Sequence, residues 1–304
     1  MSLPEPVAAV TALQPRRRSA AALAVAIRPR QWTKNLLLFA GIVFAAEIGE
    51  PRKWVQAGAA FALYCAASSA AYLVNDLVDA PADRLHPVKR RRPLARGELS
   101  PGSTALAATA LVAVAAMLAA SLGPAALGFL ALFLAIQAAY TLGLKHVALV
   151  DVMTIAGLFV VRAAAGADAI DVRISPWLLV CTALLALFLA LGKRRGELVL
   201  VGAEATPGRP VLEGYSLALV DQLLGIVAGA AVLAYTVYTL TARESQALAA
   251  TIPFVLFGIF RYLLLLHRAG KGEEPENVLM TDLPILATVA MWAAACAAIL
   301  VSSY

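Results

Sequence analysis

An all-α, polytopic membrane fold of about nine transmembrane helices is the architecture this sequence predicts, and three observations predict it. Of 304 residues, 61% are hydrophobic and only 14% charged, with a mean hydropathy of +0.80. An ordinary soluble domain is nearer half apolar and a quarter charged, and no single soluble core of this size buries such an excess. The apolar residues gather in runs of about 17–25, the length that crosses a hydrocarbon layer as a helix. Thirdly, the basic residues crowd into alternate connections between those runs. These features exclude a soluble enzyme, a disordered tail protein and a secreted disulfide scaffold. Cys65, Cys181 and Cys296 lie within apolar runs, and an odd number in such positions argues against a disulfide framework or a zinc site.

Residues 1–31 read as a cytoplasmic arm and surface helix, the helix covering 20–28. Arg16, Arg17 and Arg18 are not followed by the apolar stretch and small-residue cleavage site of a signal peptide. Residues 32–304 form the transmembrane domain. Its spans are expected near 32–49, 54–74, 104–122, 124–144, 149–167, 176–192, 217–240, 251–268 and 284–301. The first is short, its helix beginning after Pro29. Gly123-Pro124 makes a tight turn, while Ser175-Pro176 and Ile252-Pro253 stand at helix starts, where proline is tolerated. Gly225, Ala228 and Gly229 at close spacing suit tightly packed transmembrane helices.

With the N-terminus inside, 20 of the 25 Lys and Arg residues fall on the cytoplasmic side, as the positive-inside tendency requires. Fourteen of the 19 acids share that side. A face rich in both signs, bounded by lipid, suits a charged ligand. The membrane is the expected surface partner and no nucleic acid is expected. A homo-oligomer is left open.

The strongest local signal is Asn75-Asp76-Leu-Val-Asp79-Ala-Pro-Ala-Asp83. Spacings of i, i+3 and i+7 put the three carboxylates of Asp76, Asp79 and Asp83 on one helix face. Like charges so stacked repel unless cations lie among them, and carboxylates with water and substrate phosphates are how Mg²⁺ is usually held. Next comes His86-Pro87-Val-Lys89-Arg90-Arg91-Arg92-Pro93-Leu-Ala-Arg96-Gly97, whose Lys89 and Arg92 complement a phosphorylated ligand beside a metal. Tyr140 and Lys145 close the fourth span and Asp151 opens the fifth. Gly192-Lys193-Arg194-Arg195-Gly196-Glu197 ends the sixth, where Lys193 and Glu197 at i, i+4 could also simply pair. Arg30, Lys34 and Asn35 begin the first span, and Arg261 lies in the eighth. Together they ring one cytoplasmic mouth.

The Asn75–Asp83 pattern resembles the first aspartate-rich motif of the UbiA-type intramembrane prenyltransferase superfamily, and the resemblance covers nearly the whole chain. It implies nine transmembrane helices and a Mg²⁺–diphosphate site on Asp76, Asp79 and Asp83. Arg28-Pro29-Arg30-Gln31-Trp32-Thr33-Lys34-Asn35, the His86–Gly97 stretch and Gly192–Glu197 resemble one branch of it. That branch moves 5-phosphoribose from phosphoribosyl diphosphate (PRPP) onto a polyprenyl phosphate, releasing diphosphate, for arabinan precursors of the cell wall. Ordinary members carry a second DxxxD on the sixth helix, where this chain reads Lys193-Arg194-Arg195-Gly196-Glu197. A basic second site suits a donor with an extra phosphate. Tyr140 and Lys145 are also separated by four residues, where the general pattern has three.

On that resemblance, residues 32–304 are a catalytic domain in which Mg²⁺, Lys89 and Arg92 steady the leaving diphosphate. Lys193 and Arg194 would hold the 5-phosphate, with Glu197 orienting them or meeting a ribose hydroxyl or metal. Asn75, Arg30, Lys34, Tyr140, Lys145 and Arg261 would complete the substrate site. Two rivals make different demands. A prenyltransferase acting on an aromatic or tetrapyrrole acceptor needs the second acidic pair. A transporter of a phosphorylated solute or lipid needs charges along its whole depth and commonly an inverted repeat.

Overall fold

The structure is a computed structural model that describes residues 19–45, 47–85, 89–173, 175–201, 210–241, 246–268 and 281–302. His86 and Pro87 of the basic stretch lie outside the described residues, which contain helices and turns and no strand. The helices are α1 (Ser19–Ala26), α2 (Ala40–Phe44), α3 (Pro51–Leu85), α4 (Pro101–Leu122), α5 (Pro124–Leu142), α6 (Val150–Ala169), α7 (Pro176–Val201), α8 (Leu217–Thr241), α9 (Ile252–His267) and α10 (Leu283–Ser302). Among the described residues, eight segments are long and apolar enough to cross a membrane: α3 to α8, the stretch Gln246–His267 that includes α9, and α10. The chain is a multi-pass membrane protein.

Local chemistry sets the helix starts. Pro51, Pro101, Pro124 and Pro176 each open a helix, where the missing amide hydrogen has no intrahelical partner to lose. Before α4, the Ser100 hydroxyl accepts from the Ser103 amide and the Ser103 hydroxyl returns the bond, a reciprocal cap. Between α4 and α5, Gly123 turns with φ 125°, a conformation other residues rarely adopt. The expected tight turn is there.

The first expected span takes a different form. Pro29–Phe39 is a 3₁₀ segment, here called the strap, which runs directly into α2. At ~2.0 Å per residue for the strap and ~1.5 Å for α2, the two together reach roughly 30 Å, near the hydrocarbon thickness. Three residues per turn brings every third side chain to one edge, and Trp32, Asn35, Leu38 and Gly41 make the inward contacts. The Trp32 indole donates to Ser69 (3.0 Å), and Asn35 accepts from the buried Arg162 of α6 (2.8 Å) and donates to the Cys65 sulfur (3.3 Å). Leu38 packs so closely on α6 that a Cβ at Gly166 would stand 2.5 Å from the Leu38 carbonyl oxygen. An all-α strap would rotate these contacts out of line.

Arg162 also donates to Ser68 (3.2 Å) and to the Leu158 carbonyl (3.1 Å), and lies 4.7 Å from the centre of the Phe133 ring. A cation at this depth persists only where polar groups and aromatic faces replace its water. Around it lies one half of the core, built by α3, α4, α5 and α6 with Leu63, Tyr64, Phe133 and Leu158. The other half joins α6, α7, α8 and α9 through Val152, Phe188, Leu191, Leu224 and Tyr262. Helix α6 serves both. A smaller cluster of Ala22, Ala26, Leu73, Leu94 and Leu99 seats α1 and the basic loop against α3, which fixes Arg92 beside the carboxylates.

Candidate active site

Helix α3 has 35 residues, about 52 Å at 1.5 Å per residue, far more than a bilayer crossing needs. Its surplus last turns carry Asn75, Asp76, Asp79 and Asp83. Asp76 and Asp83 are buried and Asp79 is partly exposed. The Arg28 guanidinium donates to Asp76 at 2.5 Å, from a backbone held at φ 53° just before Pro29. Arg92 Nη1 lies 3.2 Å from Asp76 Oδ1 and 2.6 Å from Asp83 Oδ2, bridging two turns of the helix. Lys145 donates to Asp79 at 2.7 Å and to the Asn75 carbonyl at 3.3 Å, and the Asn75 amide donates to Asp79 at 3.0 Å. Three carboxylates thus meet three cations.

The spacing leads one to expect Asp76, Asp79 and Asp83 around a metal as a set. Among the described residues no three acidic, histidine or cysteine side chains come together in that way. The cause is the guanidinium of Arg92, which sits between Asp76 and Asp83, while Asp79 turns to Lys145. The donors still suit Mg²⁺, a hard ion usually bound by one or two carboxylates with water and substrate phosphates rather than by an all-protein cage. Asp76, Asp79, Asp83 and the Asn75 carbonyl are all hard oxygen donors.

A second group stands at the end of α7. Arg194 is buried, with its Nε 2.8 Å from Asp151 Oδ2 and its Nη1 bonded to Glu197. Lys193 and Glu197 are partly exposed, and Glu197 pairs with Arg194 one turn back on the same helix. Tyr140 lies close enough to Arg194 to interact with its charge. Tyr215 donates its phenol hydrogen to Asp151 Oδ1 at 2.6 Å and accepts from the Leu149 amide at 2.7 Å. Burial first, and then the bond to Asp151, push the Tyr215 phenol above its ordinary value. A Cβ on Gly192 would stand 2.5 Å from the Tyr262 hydroxyl, so glycine lets the helix end sit against α9.

Other expected residues sit as follows. Lys34 and Lys89 are partly buried, and Arg30 is exposed on the strap. Arg261 binds Asp282 at 2.9 Å rather than either carboxylate group above. Sequence reasoning does not assign Arg28 or Tyr215 to the site, and it sets Asp151 at the cytoplasmic mouth without giving it a role. Arg28 carries a signal, lying in the same basic motif as Arg30. Tyr215 carries none, because its partner is 64 residues away.

A bundle of membrane-spanning helices with two ion-paired groups at the ends of α3 and α7 has the architecture of an integral membrane transferase. The chain belongs to the UbiA prenyltransferase family, whose pattern matches residues 36–281. It is similar to a decaprenyl-phosphate phosphoribosyltransferase from Mycolicibacterium smegmatis, 34% identical over 284 residues, covering 88% of this chain and 89% of that protein. A protein of the same description from Mycobacterium tuberculosis is 33% identical over 288 residues, covering 92% and 95%. Among solved structures, a UbiA homolog from Archaeoglobus fulgidus bound to GPP and Mg²⁺ has a TM-score of 0.69 and 19% identity, covering 92% of this chain and 99% of that one. That homolog has also been solved bound to Cd²⁺, so structures of this fold hold divalent cations.

Proposed function

We propose that the chain transfers 5-phosphoribose from PRPP to a polyprenyl phosphate, taken as decaprenyl phosphate from the named relatives, and releases diphosphate. The observation that carries this reading is the make-up of the second group: Lys193, Arg194 and one acid, Glu197, stand where a prenyl diphosphate donor would call for an acidic pair. Asp76, Asp79 and Asp83 would hold Mg²⁺, which supplies charge neutralisation for the diphosphate. Arg28, Arg92 and Lys145, gathered beside the carboxylates, would offer N–H groups to the leaving oxygens, where negative charge grows as the anomeric bond breaks. Lys89 adds a further cation. Lys193, backed by Arg194, takes the 5-phosphate, and Glu197 meets a ribose hydroxyl. Arg30 and Lys34 serve the acceptor phosphate. Being already anionic, the acceptor needs positioning more than a general base.

The charge distribution supports a plasma-membrane protein with its N-terminus and site in the cytoplasm and its C-terminus outside. The product serves as a precursor of cell-wall arabinan. The test is to incubate purified protein with radiolabelled PRPP, a polyprenyl phosphate and Mg²⁺, and look for labelled lipid. In Lys193→Ala, loss of a charge-assisted contact of about 1.5–3 kcal/mol should raise the apparent KM for PRPP about tenfold to a hundredfold. The KM for the lipid should move much less. A protein that ignores PRPP and consumes a prenyl diphosphate would overturn the reading.

A further inference from the structure

Between the two groups runs an unbroken series of contacts that the reaction described above does not use. Asp151 is fully buried at the first turn of α6. One of its oxygens accepts from Tyr215 and the other faces Arg194, which holds Glu197. On the other side, the Tyr215 hydroxyl accepts from the Leu149 amide. Leu149 ends the short turn that carries Lys145, and Lys145 holds Asp79. Leu149 has φ 68°, a strained position for a branched side chain, and the bond to Tyr215 helps to keep it there. Next to Tyr215, a Cβ on Gly214 would come within 2.7 Å of the Ala148 Cβ, so the segment is seated tightly on that same turn.

We propose that Asp151, held by Tyr215, is a positioning residue for donor recognition, fixing Arg194 and Glu197 and tying them to the Lys145 turn so that the two groups keep one spacing. This rests on the reading that PRPP is the donor. Such a donor presents a diphosphate and a phosphate on one small ring, so its two anionic ends have a limited range of separations. A site whose two halves are joined meets both ends at once, whereas a site with loose halves orders itself at the cost of affinity. A lipid monophosphate has one anionic end and places no such demand. A link of this kind therefore acts on the donor and not on the acceptor, which a merely structural pin would not do.

Steady-state kinetics of the full chain in detergent or bilayer discs test this with Tyr215→Phe, which removes one oxygen and leaves the ring. The expected result is a roughly tenfold rise in the apparent KM for PRPP, with the KM for polyprenyl phosphate within about twofold of wild type. Combining Tyr215→Phe with Glu197→Gln should be no worse for PRPP than the more damaging single change, because both break one linkage. Asp151→Asn, which keeps size and loses charge, should give the same donor-selective pattern and serves if Tyr215→Phe folds poorly. Equal changes for both substrates, or effects that multiply in the double variant, would overturn the proposal while leaving phosphoribosyl transfer intact. A wild-type protein inert toward PRPP would instead remove the reading on which it rests.

Discussion

Asp79 keeps 24% of its side chain exposed, against 2% and 3% for Asp76 and Asp83, so it is the carboxylate an incoming ligand meets first. Asp79→Asn preserves an acceptor for Lys145 and removes the charge. Turnover should fall by at least about a hundredfold, with the melting temperature within a few degrees of wild type; full activity in this variant or in excess EDTA would exclude a metal on this carboxylate. Tyr215 offers a pH test. Its phenol loses a proton near pH 10 in the unfolded chain and at higher pH in the folded one. Its contribution to stability is therefore intact below about pH 10 and is lost as pH rises toward the folded value. Tyr215→Phe should lack that part of the alkaline loss in unfolding curves taken from pH 8 to 11, and identical curves would contradict the assignment. The aspartates were legible in the sequence because charge directly after an apolar run has few structural uses. Their pairings were not, since Arg28, Arg92 and Lys145 reach them from three separate segments.

At the scale of elements, hydropathy locates the long helices well, because crossing a bilayer demands a continuous apolar length whatever the neighbours are. It does not reveal the strap. Arg30, Gln31, Thr33, Lys34 and Asn35 dilute the signal there, and the 3₁₀ winding answers to Ser69, Cys65, Arg162 and Gly166, which belong to other helices. Gly166→Ala tests that account. A methyl group 2.5 Å from the Leu38 carbonyl oxygen forces the strap or α6 to shift, at about 1–3 kcal/mol of stability. A clear drop in melting temperature is expected. Gly128→Ala, whose new Cβ meets nothing within 4 Å, should be close to neutral, and equal behaviour of the two would dismiss the tight seat.

For the molecule as a whole, the one-sided distribution of Lys and Arg sets the expected orientation. Reporters placed near Gly97 or Gly202 should read as cytoplasmic and one after Tyr304 as external. A cytoplasmic C-terminus would remove one crossing, and the strap with α2 would then not traverse the bilayer. The two ion-paired groups stand at the ends of α3 and α7, where charge can meet water beyond the apolar length of the spans.

Arg162 carries a consequence for how the protein is made. A lone arginine at the middle of a span costs about 2.5–3.5 kcal/mol when the translocon hands that span to lipid. The groups that satisfy Arg162 from outside α6, namely Asn35, Ser68 and the Phe133 ring, all precede it in the chain. They have emerged from the ribosome before α6 does, so the acceptor for the cation is waiting when it arrives. Fusing α6 alone to a glycosylation reporter should give poor insertion, and restoring residues 19–149 ahead of it should raise the inserted fraction; equal insertion of the two would show that synthesis order is irrelevant to this helix.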